Sequence, residues 1–194
     1  MNKINTTLKE YKSIAKLYES SLQSKNFNKI IKILKRSRKK RIFFCGNGGS
    51  AANANHAAVD FNNLPRKGGK LKFSSQSLCA NSEMITAIAN DFGYEKIFKL
   101  QLEDLARSGD ILFILSVSGS SKNVYEAAKY CNKKNITVIS ILGFNGGKIK
   151  QISDISISFE SKNFALVEDL QMMLIHSICE ILKNDIQNNQ KITT

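Results

Sequence analysis

The sequence contains two histidines, His56 and His176, and each stands where it could do chemistry. His56 precedes Asp60 by four residues, a spacing that sets both on one face of a helix and suits a metal pair. A solvated polar helix face satisfies the same spacing and is the plainer reading of spacing alone. His176 is embedded in the apolar run Met172–Cys179, where a lone imidazole is more often a packed core residue than a base or ligand. Glu168 and Asp169 precede that run, and acids there also complement the positive end of a helix. Cys45, Cys79, Cys131 and Cys179 are widely spaced and form no C-x-x-C, which reads as single buried thiols rather than a zinc cluster or a disulfide scaffold.

Two further segments carry the chemistry of anion binding. Gly46-Asn47-Gly48-Gly49-Ser50 follows an apolar strand and leads into an Ala-rich helix. Its glycines allow close backbone approach, and the helix start offers free N–H groups. Ser116-Val117-Ser118-Gly119-Ser120-Ser121 repeats the arrangement with hydroxyls, which donate to phosphate oxygens. No Gly-Lys-Ser/Thr follows the first loop, so it is not a P-loop. No acid stands at the ribose spacing, which argues against a dinucleotide fingerprint and against a nucleotide cofactor. One such loop is weak testimony, since it also serves as a tight strand–helix turn; two at strand ends point to a phosphate-bearing ligand.

The elements that must hold these groups are legible from periodicity. Residues 6–40 read as helix, broken near 24–28, with Ile14, Leu17, Leu22, Ile30, Ile31 and Leu34 as the apolar stripe. Strands are expected at 41–45, 73–78, 110–117, 137–142 and 155–159, and helices at 51–61, 83–90, 96–106, 122–134 and 166–185. Residues 62–72, with Pro65, Gly68 and Gly69, read as loop, and Gly143–Gly147 as a turn. Unbroken apolar strands alternating with helices imply an α/β fold, a parallel five-stranded sheet flanked by helices on both faces, preceded by N-terminal helices. The expected layout is one domain over 1–194: helices over 1–40, an α/β core over 41–185 and a polar tail over 186–194.

Hydrophobic residues make up 42% of the chain, enough for a core, which excludes a wholly disordered chain. No apolar run reaches the roughly 20 residues of a membrane span, and the start lacks a signal-like stretch, so a soluble cytoplasmic protein is expected. The net charge of +13 invites a nucleic-acid reading. However, residues 1–40 hold 12 Lys/Arg against only Glu10 and Glu19, so the excess is almost all N-terminal. No aromatic residues interleave with those bases as stacking platforms, and a solvated helix end explains them without nucleic acid.

The segments GNGGSAANANHAAVDF (46–61), TAIANDFGYEKIF (86–98), SGDILFILSVSGSSKNVYEAAK (108–129), ILGFNGGKIKQISDISI (141–157) and EDLQMMLIHSICEIL (168–182) together resemble a sugar isomerase (SIS) domain, and within that group the phosphoheptose isomerases. The resemblance spans nearly all of 40–183. It implies a flavodoxin-like parallel sandwich, assembled as a homotetramer with shared active sites. It implies a cytosolic enzyme that interconverts sedoheptulose 7-phosphate and glycero-manno-heptose 7-phosphate on the way to bacterial surface polysaccharides. It also implies a zinc-binding site at His56, Asp60, Glu168 and His176. Asp60 stands where the family has Glu and is shorter by one methylene; Glu168 stands where it has Gln and adds a charge. Gln171 replaces a His frequent in the family.

The implied chemistry is an aldose–ketose shift through an ene-diolate, with His176 and Asp60 as the acid–base pair and a divalent ion polarising the oxygens. Ser50, Ser116, Ser118 and Ser121 would hold the phosphate with the backbone of Gly48 and Gly49, while Asn47 and Asp91 would contact sugar hydroxyls. On a straight helix Glu168 and His176 are separated by ~12 Å of rise. Either Glu168 lies before the regular helix, or the metal site is shared between subunits. Two other readings stand beside this one: an isomerase of the same domain for another sugar phosphate, and a non-catalytic module that binds a phosphosugar or a partner.

Overall fold

The computed structural model describes residues 3–37, 40–64 and 73–188. Its framework is the set of short strands β1 (Arg41–Cys45), β2 (Ser74–Ser77), β3 (Ile111–Ser116), β4 (Thr137–Leu142) and β5 (Ile155–Ser158). They form one sheet in the order β2-β1-β3-β4-β5, and every pairing is parallel. Parallel strands need crossovers, and helices supply them: α4 (Gly49–Asn63), α5 (Ser82–Phe92) with α6 (Ile97–Leu105), α7 (Lys122–Lys133) and α8 (Gly147–Ile152). Three helices precede the sheet, α1 (Lys3–Lys12), α2 (Ile14–Leu22) and α3 (Lys25–Arg36), and α9 (Phe164–Asn188) follows it.

The nearly unbroken apolar runs of β1, β3 and β4 are explained by the two layers they serve, because successive side chains point to opposite faces. Ile42, Phe44, Phe113, Ile139 and Ile141 join α3, α4 and α9 in one core; Phe44 packs 5.2 Å from both Phe113 and Phe61. Phe43, Cys45, Leu112, Ile114 and Val138 join α6 and α7 in the other. The N-terminal helices dock on α9: the Tyr11 hydroxyl donates to Asp169 at 3.1 Å, Asn163 donates to Glu10 at 2.7 Å, and the Tyr18 and Ser177 hydroxyls are paired. On α3 the residues Phe27, Ile30, Ile31 and Leu34 are buried, while Lys25, Lys29, Lys32, Lys35 and Arg36 are exposed. The basic residues of α3 thus form a solvent-facing helix side. Among the described residues no helix is long and apolar enough to cross a membrane.

Several boundaries differ from expectation. The N-terminal region is three helices, not two, because the chain also breaks at Ser13, whose hydroxyl bonds back to the Glu10 carbonyl at 2.6 Å. Helix α4 starts two residues early, at Gly49, and takes in Asn62 and Asn63; the rest of the expected loop, from residue 65 to 72, lies outside the described residues. The turn expected at Gly143–Gly147 runs on into α8, too short to show a period. Helix α9 starts at Phe164 and reaches Asn188, three residues into the expected tail; residues 189–194, like Arg38 and Lys39 of the basic run, lie outside the described residues.

Candidate functional site

In this strand order the chain leaves β1 toward one sheet edge and β3 toward the other, so a crevice opens between their carboxyl ends. Both sequence loops lie there. Gly48, the N-cap of α4, has φ +56° and ψ −127°, a conformation that favours glycine. Gly49 lets Glu168 of α9 come close: a Cβ there would lie 2.2 Å from Oε2. Across the crevice, the Ser116 hydroxyl accepts from the Gly119 N–H at 3.2 Å and that of Ser118 from the Ser120 N–H at 3.3 Å. These bonds shape the loop and leave each hydroxyl proton to donate outward. Ser121 is the N-cap of α7 and makes no capping bond with its side chain. The cavity between the loops is about 260 Å³, lined by Asn47, Gly48, Ser50, Ser116, Val117, Ser118, Ser121, Phe164 and Glu168.

Helices α4 and α9 run side by side in the same direction, which sets the rest of the site. At their shared start Ser50 N–H donates to the Glu168 carboxylate. Burial pushes the Glu168 carboxyl above its ordinary range, the Ser50 bond opposes this, and neighbouring Asp169 adds to it. One turn on, fully buried Gln171 accepts from Ser50 Oγ at 3.1 Å and Asn53 Nδ2 at 3.3 Å, and donates to the Ile141 carbonyl at 3.3 Å. Asn53 also donates to the Glu168 carbonyl at 2.9 Å. Further along, His56, Asp60 and His176 converge. Asp60 Oδ2 lies 3.4 Å from His56 Nε2 and 3.5 Å from His176 Nε2, and the two rings are 5.2 Å apart. Both imidazoles are 54% exposed and Asp60 25%. A second cavity of about 320 Å³ opens beside Asp60 and His176, toward Cys179 and Lys183.

Of the four residues expected to hold a metal, the fold brings three together. Their ligand atoms all lie within 4.8 Å of one another. Two imidazoles and a carboxylate at 3.4–3.5 Å fit the roughly 3.4 Å that separates ligands around a tetrahedral zinc with bonds of about 2.1 Å. The donors present therefore fit a divalent ion. Glu168 is not among them: α9 is already helical there, which rules out the first arrangement considered above, and leaves ~12 Å of helix between it and His176.

Among the expected ligand-binding residues, Asn47, Gly48, Ser50, Ser116, Ser118 and Ser121 line the cavity, and Gly49 adjoins it. Ser50 is 2% exposed, with its hydroxyl engaged by Gln171. Asp91 is exposed on α5, accepts from Asn90 at 2.8 Å and does not line the cavity. From that region it is Tyr94 that reaches the loop, donating to Asn47 Oδ1 at 3.0 Å. Sequence reasoning missed Asn53, Tyr94, Asn123 and Phe164. Only Asn123, in the first turn after the serine loop, carried a positional signal.

A parallel sheet with a glycine loop and a serine loop facing one another at its strand-order reversal defines a class of α/β domain built for phosphorylated ligands. The SIS domain family matches residues 10–143. A phosphoheptose isomerase of Helicobacter pylori (strain Shi470) is 36% identical over 151 residues, covering 76% of this chain and 77% of that protein. One of Mycobacterium tuberculosis (strain CDC 1551 / Oshkosh) is 38% identical over 145 residues, covering 72% and 71%. The solved structure of phosphoheptose isomerase GmhA from Neisseria gonorrhoeae aligns with a TM-score of 0.85 at 27% identity, covering 94% of this chain and 97% of that one. The chain belongs to the SIS domain family and, within it, to the phosphoheptose isomerases.

Proposed function

We propose that this protein is a phosphosugar isomerase that converts sedoheptulose 7-phosphate into D-glycero-D-manno-heptose 7-phosphate. The observation that carries the reading is the meeting of His56, Asp60 and His176 on two helices whose starts border the anion crevice. A module that only bound a phosphosugar would need the crevice but not that group. The heptose named in the relatives does not favour another sugar.

The Ser116, Ser118 and Ser121 hydroxyls and the start of α7 hold the phosphate; Asn47, Gly48 and Ser50 form the facing wall. Asp60 and His176 move the proton. One takes a proton from C1 of the ketose, which becomes an ene-diolate, the other delivers a proton to C2, and the C1 hydroxyl proton passes to the oxygen on C2; a proton handed between Asp60 and His176, 3.5 Å apart, restores both. Asp60 Oδ2 faces both imidazoles, so the part of Asp60 in the exchange with substrate falls to Oδ1. His56, Asp60 and His176 are also the residues that would hold a divalent ion such as zinc, which polarises the oxygens of the substrate when bound.

The imidazoles are half exposed, and proton abstraction needs a drier setting. Val59, Phe92, Tyr94 and Phe164, all more than half exposed, supply apolar surface for a second copy to cover. That supports a homo-oligomer; the tetramer with shared sites and the cytoplasmic location are proposed from the resemblance to the phosphoheptose isomerases.

The test is incubation of the purified chain, zinc-loaded and chelator-treated, with sedoheptulose 7-phosphate. Aldose formation by the loaded protein and its loss in His176→Ala, with the oligomer and melting curve retained, is the expected result. Absence of aldose with the loaded wild type removes the reading; unchanged turnover in His176→Ala removes that residue from the mechanism.

A further inference from the structure

Asn47 and Asn123 form a reciprocal amide pair across the crevice. Asn47 Nδ2 donates to Asn123 Oδ1 at 2.9 Å, and Asn123 Nδ2 donates to Asn47 Oδ1 at 2.7 Å. Asn123 is 2% exposed, in the first turn of α7, and its Oδ1 also accepts from the Val124 N–H at 3.0 Å. A backbone N–H can only donate, so it fixes which end of the Asn123 amide is oxygen. Asn123 must then donate through Nδ2, and its acceptor must be Asn47 Oδ1. The Tyr94 hydroxyl donates to the same oxygen. The oxygen of Asn47 is thereby spent inside the protein, and its nitrogen keeps a second N–H for the cavity that Asn47 lines.

We infer that Asn123 is a positioning residue: it locks Asn47 so that a hydrogen-bond donor faces the ligand, and it ties the loop after β1 to the first turn of α7. The ligand atom that this donor fits is an acceptor-only oxygen, such as a phosphate oxygen. A contact of that kind is made equally in the ground state and the transition state, so its loss appears in KM and not in kcat.

The inference rests on the isomerase reading, and the test separates the two. Asn123→Ala and Asn123→Asp are compared with the wild type for KM and kcat on sedoheptulose 7-phosphate and for stabilisation against heat by inorganic phosphate. Asn123→Asp keeps the acceptor for Val124 N–H but cannot donate to Asn47. A purely structural role at the start of α7 is therefore rescued by Asp, and the positioning role is not. Expected is a KM raised about tenfold in both variants, the size of one misdirected hydrogen bond, with kcat within about twofold. In an Asn47→Ala background, Asn123→Ala should add less than about twofold, because it acts through the missing side chain. A KM unchanged in Asn123→Asp, or a full additive effect in the Asn47→Ala background, overturns the inference. A wild type that phosphate stabilises but that leaves the sugar unchanged overturns the isomerase reading alone, and the phosphate-induced shifts of the variants then decide the role of Asn123.

Discussion

Gln171→Leu tests whether α9 is bound to the crevice by polar bonds or only by packing. Leucine has nearly the volume of glutamine, so the perturbation is chemical more than steric. It removes the acceptor of Ser50 Oγ, one of the two acceptors of Asn53, and the donor to the Ile141 carbonyl. Asn53 keeps its bond to the Glu168 carbonyl, but the Ser50 hydroxyl, 2% exposed, is stranded. A stranded buried hydroxyl costs about 1–3 kcal/mol and each lost neutral bond about 1 kcal/mol. Some of this returns as apolar contact of the leucine, leaving about 2–4 kcal/mol. At about 2–4 °C per kcal/mol for a chain of this size, Tm should fall by roughly 5–15 °C. Melts at one fixed protein concentration read this, since assembly also shifts Tm. Adding Ser50→Ala should restore about half of the loss, because the stranded group is then gone. A Tm within about 2 °C of wild type, or a double variant that melts lower than Gln171→Leu, refutes the reasoning.

Gly49→Ala should displace the Glu168 carboxylate, which a Cβ would meet at 2.2 Å, and reduce kcat/KM by about 100-fold in steady-state assays; Glu168→Ala in the same chain should recover much of it. Asp60→Asn should weaken zinc binding by about tenfold or more in equilibrium dialysis, since it takes a charge from the three-ligand group. Cys131 is fully buried, and that burial, with a smaller push from the Asp154 charge, raises its thiol from about 9 to about 12. Between those values the unfolded chain has lost a proton that the folded one keeps, so stability falls as pH rises from 9 to about 12, and the fall should be shallower in Cys131→Ala. Cys45, also fully buried, and Cys131 should react with a thiol reagent only at the rate of unfolding.

What could be read from the sequence was whatever repeats locally. Strand β4 has the bounds that its apolar run implied, and β3 lost only a residue at each end, because a strand buried on both faces needs an unbroken run. The edge strand β2 is Ser-Ser-Gln-Ser, with alternate residues buried, so its apolar neighbours Phe73 and Leu78 made it look longer. The glycine and serine loops were legible because each is a run of adjacent residues whose types suit anion binding. The bonds Ser50–Gln171 and Asn47–Asn123 were not, since each joins residues more than 70 positions apart and depends on how two helices lie. Glu168 shows the limit from the other side: helical rise alone sets it apart from His176 on one chain, while its place against Gly49 required the packing of α4 on α9.

Helix α9 is synthesised after every strand of the sheet, yet it supplies Glu168 and Gln171 to the crevice and His176 to the group at Asp60. A nascent chain that has released β5 but not α9 lacks much of the layer that covers one face of its sheet. It has no wall behind the first loop and no partner across from Asp60. The group at Asp60 is therefore complete only once α9 has docked, and on the proposed mechanism a copy arrested before that step is silent. That mechanism would give the arrangement a benefit: partly folded molecules would not enolise the sugar phosphates around them.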